Sequence, residues 1–256
     1  MLPAPSSSSK APAERIRSHF ADTSKRRGLL VTFEGPDGSG KTTQRKLFKT
    51  WLKSEGYSVR TTKWNDSELI KPIIKSRKAT RSLSGEEFSL LHAADFRHRV
   101  EQEVLPALWD GALVIADRFL FTALARDVAR GLEHDWVKAL YEPFLWPDIV
   151  FYFSVSPKTS SQRVSALRVP SYYEAGQDVT KVDNAKESYE RFITRVIHEY
   201  EQLATRFKFV TVDAEQPIGD QHHAIRKLFR QSEARPWSVE NTPAYVEWLA
   251  TRQARQ

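Results

Sequence analysis

Short apolar runs recur along this chain, each bounded by glycine, proline or a carboxylate and separated by stretches of helical period. Five of them read as strands: Leu29–Phe33, Tyr57–Trp64, Ala112–Ala116, Pro147–Phe153 and Phe209–Asp213. Uninterrupted runs such as Ala112–Ala116 are the pattern of strands buried on both faces, as in a parallel sheet. Between them the period changes to that of helices. One should run from the glycine region near 40 to about Ser54 and stop at Gly56. Ser84-Gly-Glu-Glu87 is a capping box, in which the serine satisfies an N–H three residues on and Glu87 reaches back. Leu90, Leu91, Ala94, Val100, Val104, Leu105 and Leu108 continue that helix at largely helical spacing, with Pro106 bending its last turn and Gly111 breaking it. Ser156-Pro157 starts another, and two more are expected at about Asn184–Phe207 and Ile218–Gln231. Strands alternating with helices predict an α/β fold, a three-layer α/β/α sandwich around a five-stranded parallel sheet.

Two segments flank this pattern and one interrupts it. Residues 1–27 contain Pro3, Pro5, four consecutive serines and Pro12, and read as a flexible basic leader. A disordered cytoplasmic segment fits this composition, with an organellar transit peptide as the alternative. Residues 232–256 form an appendage, in which Thr242-Pro243 starts a short helix carrying Tyr245, Trp248 and Leu249. The segment Val169–Val182, with Pro170 and Gly176 and no clear period, reads as a mobile loop, making 168–182 a candidate lid on a domain spanning 28–231.

Composition narrows the function. With 40% hydrophobic and 28% charged residues, seven Trp and fourteen Phe, the chain can build a substantial core. It has no Cys, which excludes disulfides, thiolate metal sites and cysteine nucleophiles. No stretch approaches about 18 uninterrupted apolar residues, so no membrane-spanning helix is expected. The net charge is +7, but Lys10, Arg15, Arg17, Lys25, Arg26 and Arg27 against Glu14 and Asp22 place +4 of it in the leader. The body is only mildly basic, which suits anionic small molecules as well as it suits RNA or DNA, and with no stacked-aromatic nucleic-acid motif a nucleic-acid partner is not expected.

The strongest chemical signal follows the first strand: Gly35-x-x-x-x-Gly40-Lys41-Thr42. Strand, glycine loop and helix in that order form a phosphate-binding P-loop. Its glycines let successive N–H groups point into one concavity, and the helix adds its positive end. Gly35, Asp37, Gly38, Ser39, Gly40, Lys41, Thr42 and Thr43 are therefore the candidate ATP-binding set. Lys41 would reach the β- and γ-phosphates and the Thr42 hydroxyl would hold Mg²⁺. Asp117, ending the strand Ala112–Ala116, stands at a C-terminal sheet edge where ligands bind, and is the candidate second Mg²⁺ partner.

Phe33-Glu34-Gly35-x-Asp37-Gly38-x-Gly40-Lys41-Thr42-Thr43-Gln44 resembles the opening signature of thymidylate kinases, P-loop nucleoside monophosphate kinases. Further similarities follow in order: Leu90–Arg97, Leu105-Pro-Ala-Leu108, Asp117-Arg118-Phe119, Pro147-Asp148 and Val212-Asp213. The resemblance covers about Gly28 to Gln231. It implies transfer of the ATP γ-phosphoryl group to a nucleoside monophosphate, with Mg²⁺, by an enzyme that is commonly a homodimer; the absence of Cys and the composition of the leader point to a cytoplasmic location. It gives Asp37 the acceptor sugar or phosphate and Arg118 the acceptor phosphate. Because the loop Pro36-Asp37-Gly38-Ser39 has no arginine, the resemblance passes the transition-state charge to Arg163 or Arg168, although either also reads as a solvated helix position.

Departures from the family pattern cluster on the acceptor side. Lys63 replaces an arginine after the second strand, and His92 stands where an aromatic residue stacks on the base. Phe96 replaces a base-reading arginine, with Arg97 one residue, about 100°, further round the helix. Thr122, Arg126 and Asp127 replace a Ser and a Tyr-Gln pair. Lys63, His92, Phe96, Arg97, Thr122 and Asp127 join Asp37 and Arg118 as the candidate acceptor set. His92 remains readable as a stacking residue or a core histidine. The acceptor base is left open, as are a kinase of another small phosphorylated metabolite or nucleoside and a non-catalytic nucleotide-binding module.

Overall fold

The computed structural model describes residues 27–234; the leader through residue 26 and the appendage beyond 234, including Tyr245, Trp248 and Leu249, lie outside them. Five strands form one sheet: β1 (Leu30–Glu34), β2 (Val59–Lys63), β3 (Leu113–Asp117), β4 (Ile149–Ser154) and β5 (Val210–Asp213). Their order is β2-β3-β1-β4-β5, and every neighbouring pair is parallel. Helices in chain order are α1 (Lys41–Ser54), α2 (Lys71–Ala79), α3 (Gly85–Arg99), α4 (Leu105–Trp109), α5 (Leu120–Val128), α6 (His134–Leu140), α7 (Pro157–Leu167), α8 (Gln177–Thr180), α9 (Ala185–Arg206) and α10 (Ile218–Ala234).

Alternation along the strands builds the two halves of the core. Leu30, Val114, Ala116, Val150 and Tyr152 face one layer, where they meet residues of α3, α5 and α9. Val31, Phe33, Leu113, Ile115 and Phe151 face the other, against Phe48, Trp51 and Leu52 of α1 and Ile225 and Phe229 of α10. With apolar groups on both faces, the central strands need helices on both sides, and the three-layer sandwich follows.

Local chemistry sets the helix ends. Ser84 accepts a hydrogen bond from the N–H of Glu87, and Ser156 one from Thr159, so both hydroxyls cap their helices as the sequence indicates. Between α3 and α4 the helix widens into a π-helical turn, Val100–Val104. Pro106 has no N–H to return to the carbonyl four residues back, and its ring crowds that carbonyl, which accounts for the wider turn.

Parts of the segment expected to be a mobile loop are anchored to the domain. Tyr173 and Ala175 are buried, α8 forms within it, and Tyr173 Oη accepts the N–H of Leu83 at 2.9 Å. Arg130 donates to the Tyr173 carbonyl at 2.6 Å and to Asp178 Oδ2 at 3.0 Å. A period search misses such anchoring, because single side chains from distant elements provide it.

Register places the chemistry. Phe33 lies beside Asp117, and Lys63 beside Asp117 on its other side, so the loops after β1, β2 and β3 leave the sheet together. The strand order turns back beside β1, where the crevice of an open α/β sheet lies.

Candidate active site

The loop after β1 depends on its glycines. Gly35 and Gly38 have φ of +136° and +74°, and a Cβ on either would meet a carbonyl oxygen, of Phe153 at 2.8 Å and Ser160 at 2.7 Å. Gly40 caps α1 in the left-handed region with no side chain to offer, and no acid stands in the first turn of α1. The helix therefore keeps its unpaired N–H groups and its positive end for an external anion.

Lys41 is buried and folded back on the loop, donating to the Pro36 carbonyl and, at 3.1 Å, to Ser39 Oγ. Burial lowers its amine to about 7, the nearby Arg118 charge adding to the effect. Asp37, Gly38, Gly40, Lys41, Thr42 and Thr43 line an open cavity of about 650 Å³, whose walls also include Lys63, Trp64 and Arg163.

At one end of this cavity Thr42 Oγ1 lies 3.3 Å from Asp117 Oδ2, which also pairs with Arg45 Nε at 3.1 Å. A hydroxyl and a carboxylate at the head of a phosphate loop are hard oxygen donors, the type Mg²⁺ takes. Among the described residues no cluster of three or more acidic, His or Cys side chains could hold a metal alone. The residues fit a cation that completes its shell with phosphate oxygens and water.

A second cavity, of about 200 Å³, adjoins the first, and Asp37, Trp64 and Arg118 belong to the walls of both. Arg118 has φ of +69°, an uncommon conformation for a branched-off side chain of this size, and donates to the Gly35 carbonyl at 2.8 Å and to Asp37 at 2.5 Å. Arg126 donates to the other Asp37 oxygen at 3.0 Å. Although burial opposes it, these two guanidinium groups and Lys41 hold the Asp37 carboxyl well below the usual carboxylate range.

Behind Arg118 lies a residue that the sequence reading left out of the site. Glu34 is fully buried and accepts from Phe119 N at 2.8 Å, Thr122 Oγ1 at 2.7 Å and Tyr200 Oη at 3.1 Å. It pins the peptide that follows Arg118, and an acid ending a strand of mostly apolar residues was the available signal.

The acceptor-side expectations divide. His92 and Asp127 line the second cavity. His92 donates through Nδ1 to the Phe88 carbonyl at 2.7 Å, and burial holds its imidazole well below the usual histidine range. Its ring is parallel to Trp64, with centroids 6.0 Å apart. Thr122 reaches the same wall, but its hydroxyl is engaged by Glu34 and Tyr200 and does not face a ligand freely. Phe96 departs from its expected role: it is a core residue packed on Phe119 and Tyr141 with ring centroids 4.7 and 5.2 Å away. Arg97 also lies away from the cavity, donating to the Glu142 carbonyl at 2.7 Å. Lys63 belongs to the phosphate cavity and lies 3.6 Å from Asp66.

The two arginines nearest the segment 168–182 differ as well. Arg163 Nη1 donates to the carbonyls of Ala214 at 2.9 Å and Gly38 at 3.3 Å, on the wall of the phosphate cavity. Arg168 lines neither cavity and forms a bidentate pair with Glu174, both bonds at 2.6 Å.

A phosphate loop and an arginine-clamped pocket sharing one wall are the parts of a kinase for small anionic acceptors. The thymidylate kinase family model matches residues 33–225, from the end of β1 to the middle of α10. The chain belongs to the thymidylate kinase family. It is 40% identical over 204 residues to a probable thymidylate kinase 2 of Saccharolobus solfataricus, covering 79% of this chain and 95% of that protein. It is 34% identical over 211 residues to a probable thymidylate kinase of Pyrococcus horikoshii, covering 80% and 97%. Against a thymidylate kinase of Bacillus pumilus it is 28% identical over 215 residues, covering 80% and 96%. The family is one of nucleoside monophosphate kinases, and the chain is an enzyme of that type. No helix among the described residues is long and apolar enough to cross a membrane.

Proposed function

We propose that the protein transfers the γ-phosphoryl group of ATP to the phosphate of a nucleoside monophosphate, with ATP in the larger cavity and the acceptor in the smaller. The observation that carries this reading is the common wall. Asp37 and Arg118 belong to both cavities, so a donor phosphate on the loop and an acceptor phosphate on the arginines would face each other across them. Phosphoryl transfer asks for that placement and for charge neutralisation more than for covalent help.

In this reading the N–H groups of Gly38–Thr43 and the Lys41 ammonium hold the donor phosphates. Arg118 and Arg126 leave Asp37 in part to grip the acceptor phosphate, for which a planar fork is suited. Arg163, already on the phosphate cavity wall, is the nearer candidate for the charge that develops in transfer, with Arg168 needing release from Glu174 to reach it. Thr42 and Asp117 would hold Mg²⁺, which when bound neutralises charge on the phosphate oxygens. The thymidylate kinases among its relatives make thymidine monophosphate the first acceptor to test.

ADP production from ATP and Mg²⁺ should be stimulated by at least one monophosphate of a panel and abolished in Lys41→Ala. Turnover with no monophosphate, or stimulation equal in Lys41→Ala, would remove the proposal.

A further inference from the structure

On the wall of the smaller cavity, the buried carboxylate of Asp127 and the half-buried ammonium of Lys78 face the same space. Asp127 is 2% exposed, and its Oδ2 has no hydrogen-bond partner. A buried carboxylate oxygen without a donor is costly and is kept where a ligand supplies the donor. Lys78, from α2, lines the same cavity. Its ammonium lies 3.2 Å from His92 Nε2. Because the Phe88 carbonyl can only accept, His92 carries its proton on Nδ1, and Nε2 takes one of the three Lys78 hydrogens. The remaining two are available to a ligand.

The cavity thus offers two arginines, Arg118 and Arg126, the aromatic faces of Trp64, Phe88 and Tyr173, and an acceptor-only group together with a donor-only group. An anion carrying a planar ring with an N–H next to a hydrogen-bond acceptor complements all three. Two kinds of base edge have that pairing: the lactam edge, –CO–NH–, of thymine, uracil and guanine, and the amidine edge of cytosine and adenine. The lactam N–H is the more acidic and donates more strongly to a carboxylate, and the carbonyl oxygen is a good partner for an ammonium.

We infer that Asp127 and Lys78 together read the base of the acceptor, Asp127 accepting the ring N–H of a lactam edge and Lys78 donating to the adjoining carbonyl. This rests on the smaller cavity being the acceptor site. Burial raises the Asp127 carboxyl to about 6, with Arg130, Ser89, Arg126 and Lys78 opposing the rise, so it is chiefly an anion at neutral pH, as the role requires. Both residues therefore determine specificity, and neither touches the transferred group.

The test is kcat/KM at neutral pH for thymidine, deoxyuridine, deoxyguanosine, deoxycytidine and deoxyadenosine monophosphates, with wild type, Asp127→Asn and Lys78→Gln. In wild type at least one lactam-edge acceptor should exceed both amidine-edge acceptors tenfold or more. This ordering needs no variant. Asp127→Asn, which supplies a donor as well as an acceptor, should reduce that preference at least tenfold. The change should appear in the acceptor KM, with the ATP KM unaltered; Lys78→Gln should act in the same direction. A wild type that uses deoxycytidine or deoxyadenosine monophosphate equally well, or an unchanged preference in folded Asp127→Asn, overturns the assignment while leaving the kinase reading intact. Absence of turnover with all five overturns both.

Discussion

Arg118 and Asp37 form a 2.5 Å ion pair where the two cavities meet, and Arg118 holds it from a left-handed backbone position. That conformation is maintained because Glu34 fixes the next peptide and the Arg118 N–H donates to the Phe33 carbonyl at 3.0 Å. In the proposed reading, the free enzyme thus stores on an internal carboxylate the arginine that is to grip the acceptor. Removing it should cost transition-state stabilisation on the acceptor side. Arg118→Ala is expected to lower kcat/KM for the acceptor by roughly 10–10²-fold, the scale of a lost charged hydrogen bond, with ATP affinity changed far less. Steady-state kinetics beside equilibrium ATP titration measures both; equal losses in the two would contradict the assigned role.

Lys41 gives a pH prediction. Its pKa in the free protein is lowered to about 7 by burial and then by Arg118, so above pH 7 it is chiefly neutral. Phosphates beside it favour the ammonium, and binding must raise its pKa. ATP binding at pH 8 should therefore take up a proton at this group. Affinity should weaken as pH rises through and above 7 and level off below it. Calorimetry in buffers of different ionisation enthalpy counts the protons, and Lys41→Met should lose that uptake.

Gly38 links the loop to α7. Its φ of +74° is strained for any other residue, and a Cβ would press on the Ser160 carbonyl, a backbone atom with no easy retreat. Gly38→Ala should destabilise the fold by about 1–3 kcal/mol. It should also disturb Asp37, whose carbonyl accepts from Ser160 Oγ at 2.7 Å. Thermal denaturation and acceptor KM would then change together, whereas Gly56→Ala, with φ +90° but open space around it, should show only the backbone strain.

Much of this architecture can be read from the chain. All five strands and the helices starting at Ser84 and Ser156 follow from apolar runs and caps, because both signals are local. Besides the single turn of α8, three helices escape such reading, each for its own reason. Helix α2 buries only Ile74, and its apolar residues Pro72, Ile73 and Ile74 are consecutive, so it shows no helical period. Helix α5 starts directly after Phe119 with no side-chain cap and is buried from Leu120 to Ala125, so no capping signal marks its start. Helix α6 has seven residues and buries only Val137. In the site, the phosphate loop was legible because its glycines are adjacent in sequence. Glu34, Lys78 and Arg126 acquire their meaning only when β1, α2 and α5 converge. Phe96 and Arg97 show the converse, since one residue of helix rotation sends a side chain to the core or to a distant turn.

Arg130 offers the last prediction, on the wall that the segment 168–182 supplies. It is buried, its guanidinium lies 4.3 Å from the Phe88 ring centroid and 4.7 Å from that of Phe192, and its nitrogens hold the Tyr173 carbonyl and Asp178. Tyr173 in turn lines the smaller cavity and accepts from Leu83 N. One side chain therefore ties the segment to α5, and removing it leaves Asp178 and the Tyr173 carbonyl without their donor. A buried charged pair broken on one side typically costs about 3–5 kcal/mol. Because the segment is joined to the rest chiefly through such contacts, part of that loss should appear as local opening. In Arg130→Met, which keeps apolar bulk beside Phe88 and Phe192, hydrogen exchange should quicken over residues 172–180 while β1 and β3 keep their protection. The acceptor KM should rise several-fold with the ATP KM little changed. Uniformly faster exchange across the sheet would instead mean that Arg130 supports global stability and does not act on this wall in particular.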